Sequence, residues 1–237
     1  RYHDALYLLG FTELARNFQN NNFGRGGVAG DRVSGEAQDF SGTNNANFST
    51  PADGGRGRMQ MYIFTNTPVN RDGDFDGDVV FHEHTHGLSH RLIGNGSGLG
   101  TNRSGGMGEG WSDFVGGSLL SEPTDPINGI YTVGAYDTFQ VAAFGITTNN
   151  GYYGIRRLPY APIGFRGGPQ NRPFNPLTAG DVNTGCVIND GAFPPVGGGA
   201  CNQVHNTGEI WASMLYEVRA QLIRRLGQAA GNQKMLQ

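Results

Sequence analysis

Two histidines four residues apart, His82 and His86, stand in the run Val79-Val-Phe-His-Glu-His-Thr-His-Gly-Leu88, whose apolar spacing predicts an α-helix over Val79 to Leu92. On a helix, positions i and i+4 share one face a turn apart, so these two imidazoles can converge on a single ion. The pattern is H-E-x-x-H, and its chemistry follows from the residue types. Zinc accepts neutral imidazole nitrogen at about 2.0–2.1 Å, and a reactive zinc site keeps three protein ligands and one open position. Glu83 falls beside that open position, where a carboxylate can take a proton from attacking water while the ion polarises a carbonyl.

A five-residue match of this kind arises by chance in roughly one chain of this length in a hundred. The remaining histidines and a third ligand therefore have to be placed. His84 lies about 200° around the helix from His82 and faces away. His90 repeats the four-residue step but sits roughly 12 Å along the axis from His82, too far for a shared ion, and reads as a surface or supporting residue. The candidate third ligand is Glu109, within Gly105-Gly-Met-Gly-Glu-Gly-Trp-Ser-Asp113-Phe. Its small neighbours permit close backbone approach, and Asp113 follows one turn later, where it can accept a hydrogen bond from a ligand imidazole. Glu109 also fits the ordinary role of an acid in the first turn of a helix, favoured by the dipole.

A competing pattern uses the same residues. From Asp72 to Glu83 the chain satisfies the EF-hand calcium loop position by position, with Glu83 as its twelfth residue. An EF-hand needs a helix entering the loop, whereas Met59 to Asn70 alternates like a strand and contains Pro68. Asp74, Asp76 and Asp78 stay open as calcium ligands, against the plainer reading of solvated turn carboxylates. A non-enzymatic calcium-binding or adhesion module on this loop is the alternative class of function. A zincin fold with a structural or dead metal site is a third.

Composition narrows the field further. The 237 residues include 40 glycines and only 16% charged side chains, with a net charge of −3 and no basic run. That leaves no electrostatic footprint for a nucleic-acid partner, and no apolar run approaches the roughly 20 residues needed to span a membrane. The start, Arg1-Tyr-His-Asp4, does not read as a signal peptide, as a mature or cut-down product would not. Cys186 and Cys201 flank a Gly- and Pro-rich segment, and a disulfide between them would close a short loop in an oxidising compartment.

Along the chain, Leu6, Leu9, Phe11, Leu14 and Phe18 predict a helix over Asp4 to Phe18. Gln19 to Gly57 reads as turns and short edge strands, and Met59 to Thr65 as a half-buried strand. A second helix is expected over Gly106 to Leu120, with Trp111, Phe114, Val115 and Leu119 inward. Asn128 to Pro195 is largely irregular apart from a short helix at Tyr136 to Phe144. The last helix is expected over about Thr207 to Leu226, with Ile210, Met214, Leu215, Val218 and Leu222 on its inner face.

These residues resemble the fungalysin family of secreted zinc metallopeptidases, relatives of the thermolysin-like zincins. The likeness is carried by Asn17 to Gly27, Gly42 to Phe48, Arg71 to Asp74, His82 to Leu92 and Gly105 to Phe114. The resemblance implies an α+β zincin, with a strand- and turn-rich N-terminal lobe over residues 1–78 and a metal-binding helix with a helical lobe over residues 79–237. It implies zinc held by His82, His86 and Glu109, with Glu83 as the catalytic base of a secreted endopeptidase acting on protein or peptide substrates. Val204-His205-Asn-Thr-Gly-Glu-Ile-Trp resembles the segment whose histidine steadies the tetrahedral oxyanion, implying His205; a helix-capping surface histidine is the alternative. Asn45 and Ala46 are similar to edge-strand residues that pair with substrate backbone, and Arg156 to a substrate-contacting arginine. Full-length members carry a signal and an inhibitory propeptide, with further β structure before Arg1 and more helix after Gln237, so the chain is expected to be a fragment or a piece of a longer enzyme.

Overall fold

The computed structural model describes residues 2–139, 152–167, 173–182 and 201–237. Mixed helix and sheet build an α+β arrangement in which strands cluster before the histidine helix and helices follow it. Three short strands, β1 (Ser34–Glu36), β2 (Ala46–Ser49) and β3 (Arg58–Met61), form a sheet in the order β1-β3-β2. β1 runs parallel to β3 and β2 antiparallel, with Ala46 opposite Met61 and Ser49 opposite Arg58. Alternation decides which side chains turn inward: Ala46 and Met61 point at Val79 of the histidine helix and bury against it.

The strand expected over Met59 to Thr65 is two strands. After Met61 the chain leaves β3 at Tyr62, and β4 (Ile63–Phe64) pairs instead with β5 (Arg71–Asp72). The N-terminal helix also ends early. Helix α1 covers Tyr2–Leu8, then Gly10 takes a φ of 112° that a helix cannot continue through, and a single 3-10 turn forms at Glu13–Ala15. Leu6, Phe11 and Phe18 still meet in one core, but Leu14 is 79% exposed.

Helix α2 (Gly77–Leu92) starts two residues before its expected edge because Asp76 caps it, accepting from the amides of Asp78 and Val79. Helix α3 (Asn102–Leu120) starts four residues before Gly106, where Thr101 and Ser104 form a reciprocal capping box. Helix α4 (Val204–Leu226) begins at Gln203, whose side chain accepts from two backbone amides, and α5 (Gln228–Leu236) follows it. The inner face of α4 is not the apolar stripe expected. Met214 and Val218 are half exposed, while Asn206, Glu209, Ala212, Tyr216, Arg219 and Ile223 are buried. Glu209 and Arg219 can be buried because each has charged or polar partners waiting, so polarity does not mark the solvent side here.

Helix α3 lies between α2 and α4, and its glycines set how closely. A Cβ on Gly110 would fall 2.5 Å from the Gly208 carbonyl, and one on Gly208 would fall 2.7 Å from Glu109 Cβ. The absence of both side chains lets the α3 and α4 backbones cross at the level of Glu109. Phe114, Tyr160, Ala212 and Tyr216 close the core below that crossing.

Residues 135–139 form turns, and the rest of the helix expected at Tyr136 to Phe144 lies outside the described residues. So does Cys186 of the expected bridge, while Cys201 is not a free thiol. No described helix is long and apolar enough to cross a membrane.

Candidate metal centre

The histidine helix, the glycine-lined crossing and the start of α4 together bring four groups to one point. His82 Nε2 and His86 Nε2 are 3.0 Å apart. Glu109 Oε2 lies 3.2 Å from the first and 3.5 Å from the second. Among the described residues this is the one group in which three ligand atoms lie within 4.8 Å of one another. Zinc at its usual bond lengths, held tetrahedrally, sets its ligand atoms about 3.3 Å apart. The three edges match that figure.

The groups around the three ligand atoms agree with a cation at the centre. Asp113 Oδ1 is 2.6 Å from His82 Nδ1. A carboxylate so placed accepts a hydrogen bond from Nδ1–H, which leaves Nε2 aimed at the cluster. Glu109 Oε2 is buried without a hydrogen-bond partner and faces the same point. Lone pairs gathered this closely repel unless a cation stands among them. Burial alone would lower the His82 pKa, yet Asp113 and Glu109 outweigh it and raise it to about 10. The field that would hold a proton there holds a divalent ion as well. Glu109 itself is held well below the ordinary carboxylate range, because its contacts to His82 and His86 overcome its burial.

Asp113 is in turn saturated. Arg156 grips it with two nitrogens, Nε to Oδ2 at 2.6 Å and Nη2 to Oδ1 at 2.8 Å, and the Tyr160 hydroxyl donates to Oδ2. Arg156, expected beside the substrate, is thus a buried residue whose main contact is the carboxylate behind His82, although it also borders the cleft. Tyr160 escaped sequence reasoning because it lies in an irregular stretch, Leu158-Pro-Tyr160, with no periodicity to mark it.

Glu83 lines the same cleft, 6% exposed, and burial raises its carboxyl pKa, with His82 and His86 partly opposing. The cleft encloses about 730 Å³. Asn45 and Ala46 border it at the start of the edge strand β2, with Phe64, Val79 and Ile155 supplying apolar wall. His205 enters from the first turn of α4, with Nε2 3.3 Å from Glu109 Oε2. Partial burial lowers its pKa to about 4, so it is neutral at pH 7.

His84 and His90 lie outside the triad. His84 points to the opposite side of α2, into a ring cluster with Tyr2, Phe18 and Phe48. His90 borders the cleft, its ring centroid 6.3 Å from that of His86. The acidic loop does not build an EF-hand: strand β5 and a 3-10 turn at Gly73–Phe75 lead into α2 where the entering helix would stand. Asp72 and Asp76 are used as caps, each accepting from backbone amides just after it.

The family model for fungalysin metallopeptidase (M36) matches residues 1–236. This chain belongs to the fungalysin family. Curated relatives include an extracellular metalloproteinase of Aspergillus fumigatus, 44% identical over 229 residues, covering 95% of this chain and 31% of that protein. Extracellular metalloproteinase 9 of Coccidioides posadasii is 42% identical over 97% of this chain and 31% of its own length. Extracellular metalloproteinase 2 of Trichophyton rubrum is 42% identical over 95% of this chain, again 31% of its own. The chain thus spans about a third of the length of the curated relatives it matches. Membership in a metallopeptidase family implies a bound metal, and the His82, His86 and Glu109 triad is where the described residues can hold one.

Proposed function

We propose that the chain carries the catalytic centre of a zinc-dependent endopeptidase that acts outside the cell, with zinc on His82, His86 and Glu109. The convergence of those three ligand atoms within 3.0–3.5 Å of one another, beside a buried carboxylate, is the observation that carries the reading. Extracellular action is supported by the names of the relatives.

Bound there, zinc supplies Lewis acidity toward a substrate carbonyl and makes nearby water easier to deprotonate. Glu83, with its pKa raised by burial, takes the proton of the attacking water and returns it to the leaving amine. His205, neutral at pH 7, donates from Nε2 to the oxygen on which charge develops. Asp113 fixes the tautomer and orientation of His82. An extended peptide lies along the edge of β2 at Asn45 and Ala46. Arg156 keeps Nη1 for a substrate carbonyl while Asp113 holds its other two nitrogens. In this reading the cleft divides residues 1–78 from residues 79–237. The inhibitory propeptide implied by family resemblance would occupy the same cleft.

The test is Glu83→Gln. Peptide hydrolysis should fall by roughly 10²–10⁴-fold while one zinc per chain is retained. Hydrolysis that survives this change, or a chain that binds no zinc, overturns the proposal.

A further inference from the structure

Of the imidazoles that meet Glu109, His82 from α2 and His205 from α4 have different partners behind them, and those partners treat the Nδ1 atom in opposite ways. Behind His82 stands a carboxylate, which accepts from Nδ1 and leaves Nε2 facing Glu109. Behind His205 stands an amide. Gln203 is the N-cap of α4, and its Oε1 accepts from the backbone amides of His205 at 2.8 Å and Asn206 at 3.2 Å. With the oxygen committed to the helix, the remaining end of the amide, Nε2, is the one in hydrogen-bond contact with His205 Nδ1. Turning the amide over would set its NH2 against two backbone N–H groups, donor against donor, so the hydrogen bonds themselves settle its orientation. An amide nitrogen only donates. His205 Nδ1 must therefore accept, and an imidazole that accepts at Nδ1 carries its N–H on Nε2, the atom facing Glu109 and the cleft.

We propose that Gln203 is a positioning residue for the reaction: it caps α4 and, with the same side chain, fixes His205 as an Nε2–H donor aimed at the reacting oxygen. This rests on the role given to His205 above. The device ties tautomer to helix geometry, because the oxygen that anchors the helix start is what turns the nitrogen toward the ring. It also separates the two histidines by function: a carboxylate behind His82 makes a metal ligand, and an amide behind His205 makes a hydrogen-bond donor.

Gln203→Asn separates the two jobs of the side chain. Asparagine is a strong N-cap but is one methylene too short to reach the imidazole. In zinc-loaded protein at neutral pH, ¹⁵N spectra of the imidazoles should show His205 protonated at Nε2 with a hydrogen-bonded Nδ1. Gln203→Asn should keep the melting temperature while the Nδ1 signal moves to its free position and the tautomers mix. The kcat should fall by about tenfold with KM within twofold, a part of the roughly 10²–10³-fold loss expected for removing an oxyanion donor. In a His205→Ala background the same change should have no further effect on kcat, since it acts through that ring. If His205→Ala leaves kcat intact, the role of His205 fails. If His205→Ala lowers kcat but Gln203→Asn moves neither the spectrum nor kcat, or lowers kcat equally in the His205→Ala background, the inference about Gln203 alone is overturned.

Discussion

Asp113 and Asp137 are both buried, 2% and 0% exposed, and both serve helix α2, yet the structure treats their charges in opposite ways. Asp113 sits behind His82 near the middle of the helix. Burial opposes its ionisation, but Arg156 and His82 outweigh that and hold its carboxyl well below the ordinary range. Asp137 sits at the helix start, docked by its own backbone N–H on the capping Asp76. Among the described residues, neither of its carboxylate oxygens has a hydrogen-bond partner. Burial, with Asp76, Asp72 and Asp74 nearby and only Arg71 in opposition, pushes its pKa up to about 8. Depth in the protein therefore does not decide whether a carboxylate is charged. The partners brought to it do.

The comparison is broken most severely at Asp113. Replacing it with alanine leaves Arg156 buried without a counter-charge and His82 without its anchor. Unfolding free energy should fall by about 3–5 kcal/mol, and zinc affinity by roughly 10–100-fold. Urea denaturation and a competitive zinc titration measure the two, and an unchanged zinc affinity would remove Asp113 from the site.

His84 extends the comparison to a buried base. Its ring lies among Tyr2, Phe18 and Phe48, its Nδ1 has no partner, and burial, with the charge of His3 adding slightly, lowers its pKa to about 4. The unfolded chain binds a proton there near pH 6.5, so stability is full above that value and is lost as pH falls from 6.5 toward 4. His84→Phe should abolish roughly 2–3 kcal/mol of that acid sensitivity. Parallel slopes of stability against pH in parent and variant would show that His84 is not held neutral.

Asp137 reverses the sign of that pH dependence. Its folded pKa is raised above the unfolded value near 3.9, so stability declines as pH rises from about 4 through 8. Asparagine cannot ionise. Asp137→Asn should match the parent at pH 4 and be more stable by a few kcal/mol at pH 9, a rise of roughly 5–10 °C in melting temperature. A variant no more stable at high pH contradicts the unpaired-carboxylate picture. A melting temperature raised by millimolar calcium in the parent and not in the variant would make this cluster a cation site.

Legibility followed the range of the interactions. His82, Glu83 and His86 were readable because four-residue spacing and helix geometry are local. Glu109 was singled out by its small neighbours but left open between a ligand and a first-turn helix acid until the family resemblance was weighed, and those glycines do set the α3–α4 crossing. The inner face of α4 was misread at Met214 and Val218, because Glu209 and Arg219 take the buried positions through contacts to Arg157, Tyr131 and Ser121, all distant in sequence. Tyr160 and Gln203 gave no signal. A tyrosine in an irregular stretch has no period, and glutamine is not a residue the N-cap rule points to.

Helix periodicity and side-chain type were enough to single out His82, Glu83 and His86, which are neighbours along one helix, and to offer Glu109 as the acid that joins the two histidines in one cluster. What decides where protons rest came only with folding: the Asp113 carboxylate against Nδ1 of His82, the Gln203 amide against Nδ1 of His205, Arg156 and His82 holding the Asp113 carboxyl low, and burial raising that of Asp137. Protonation is fixed by the groups that come within hydrogen-bond reach, and here those groups arrive from α3, α4 and the segments that join them.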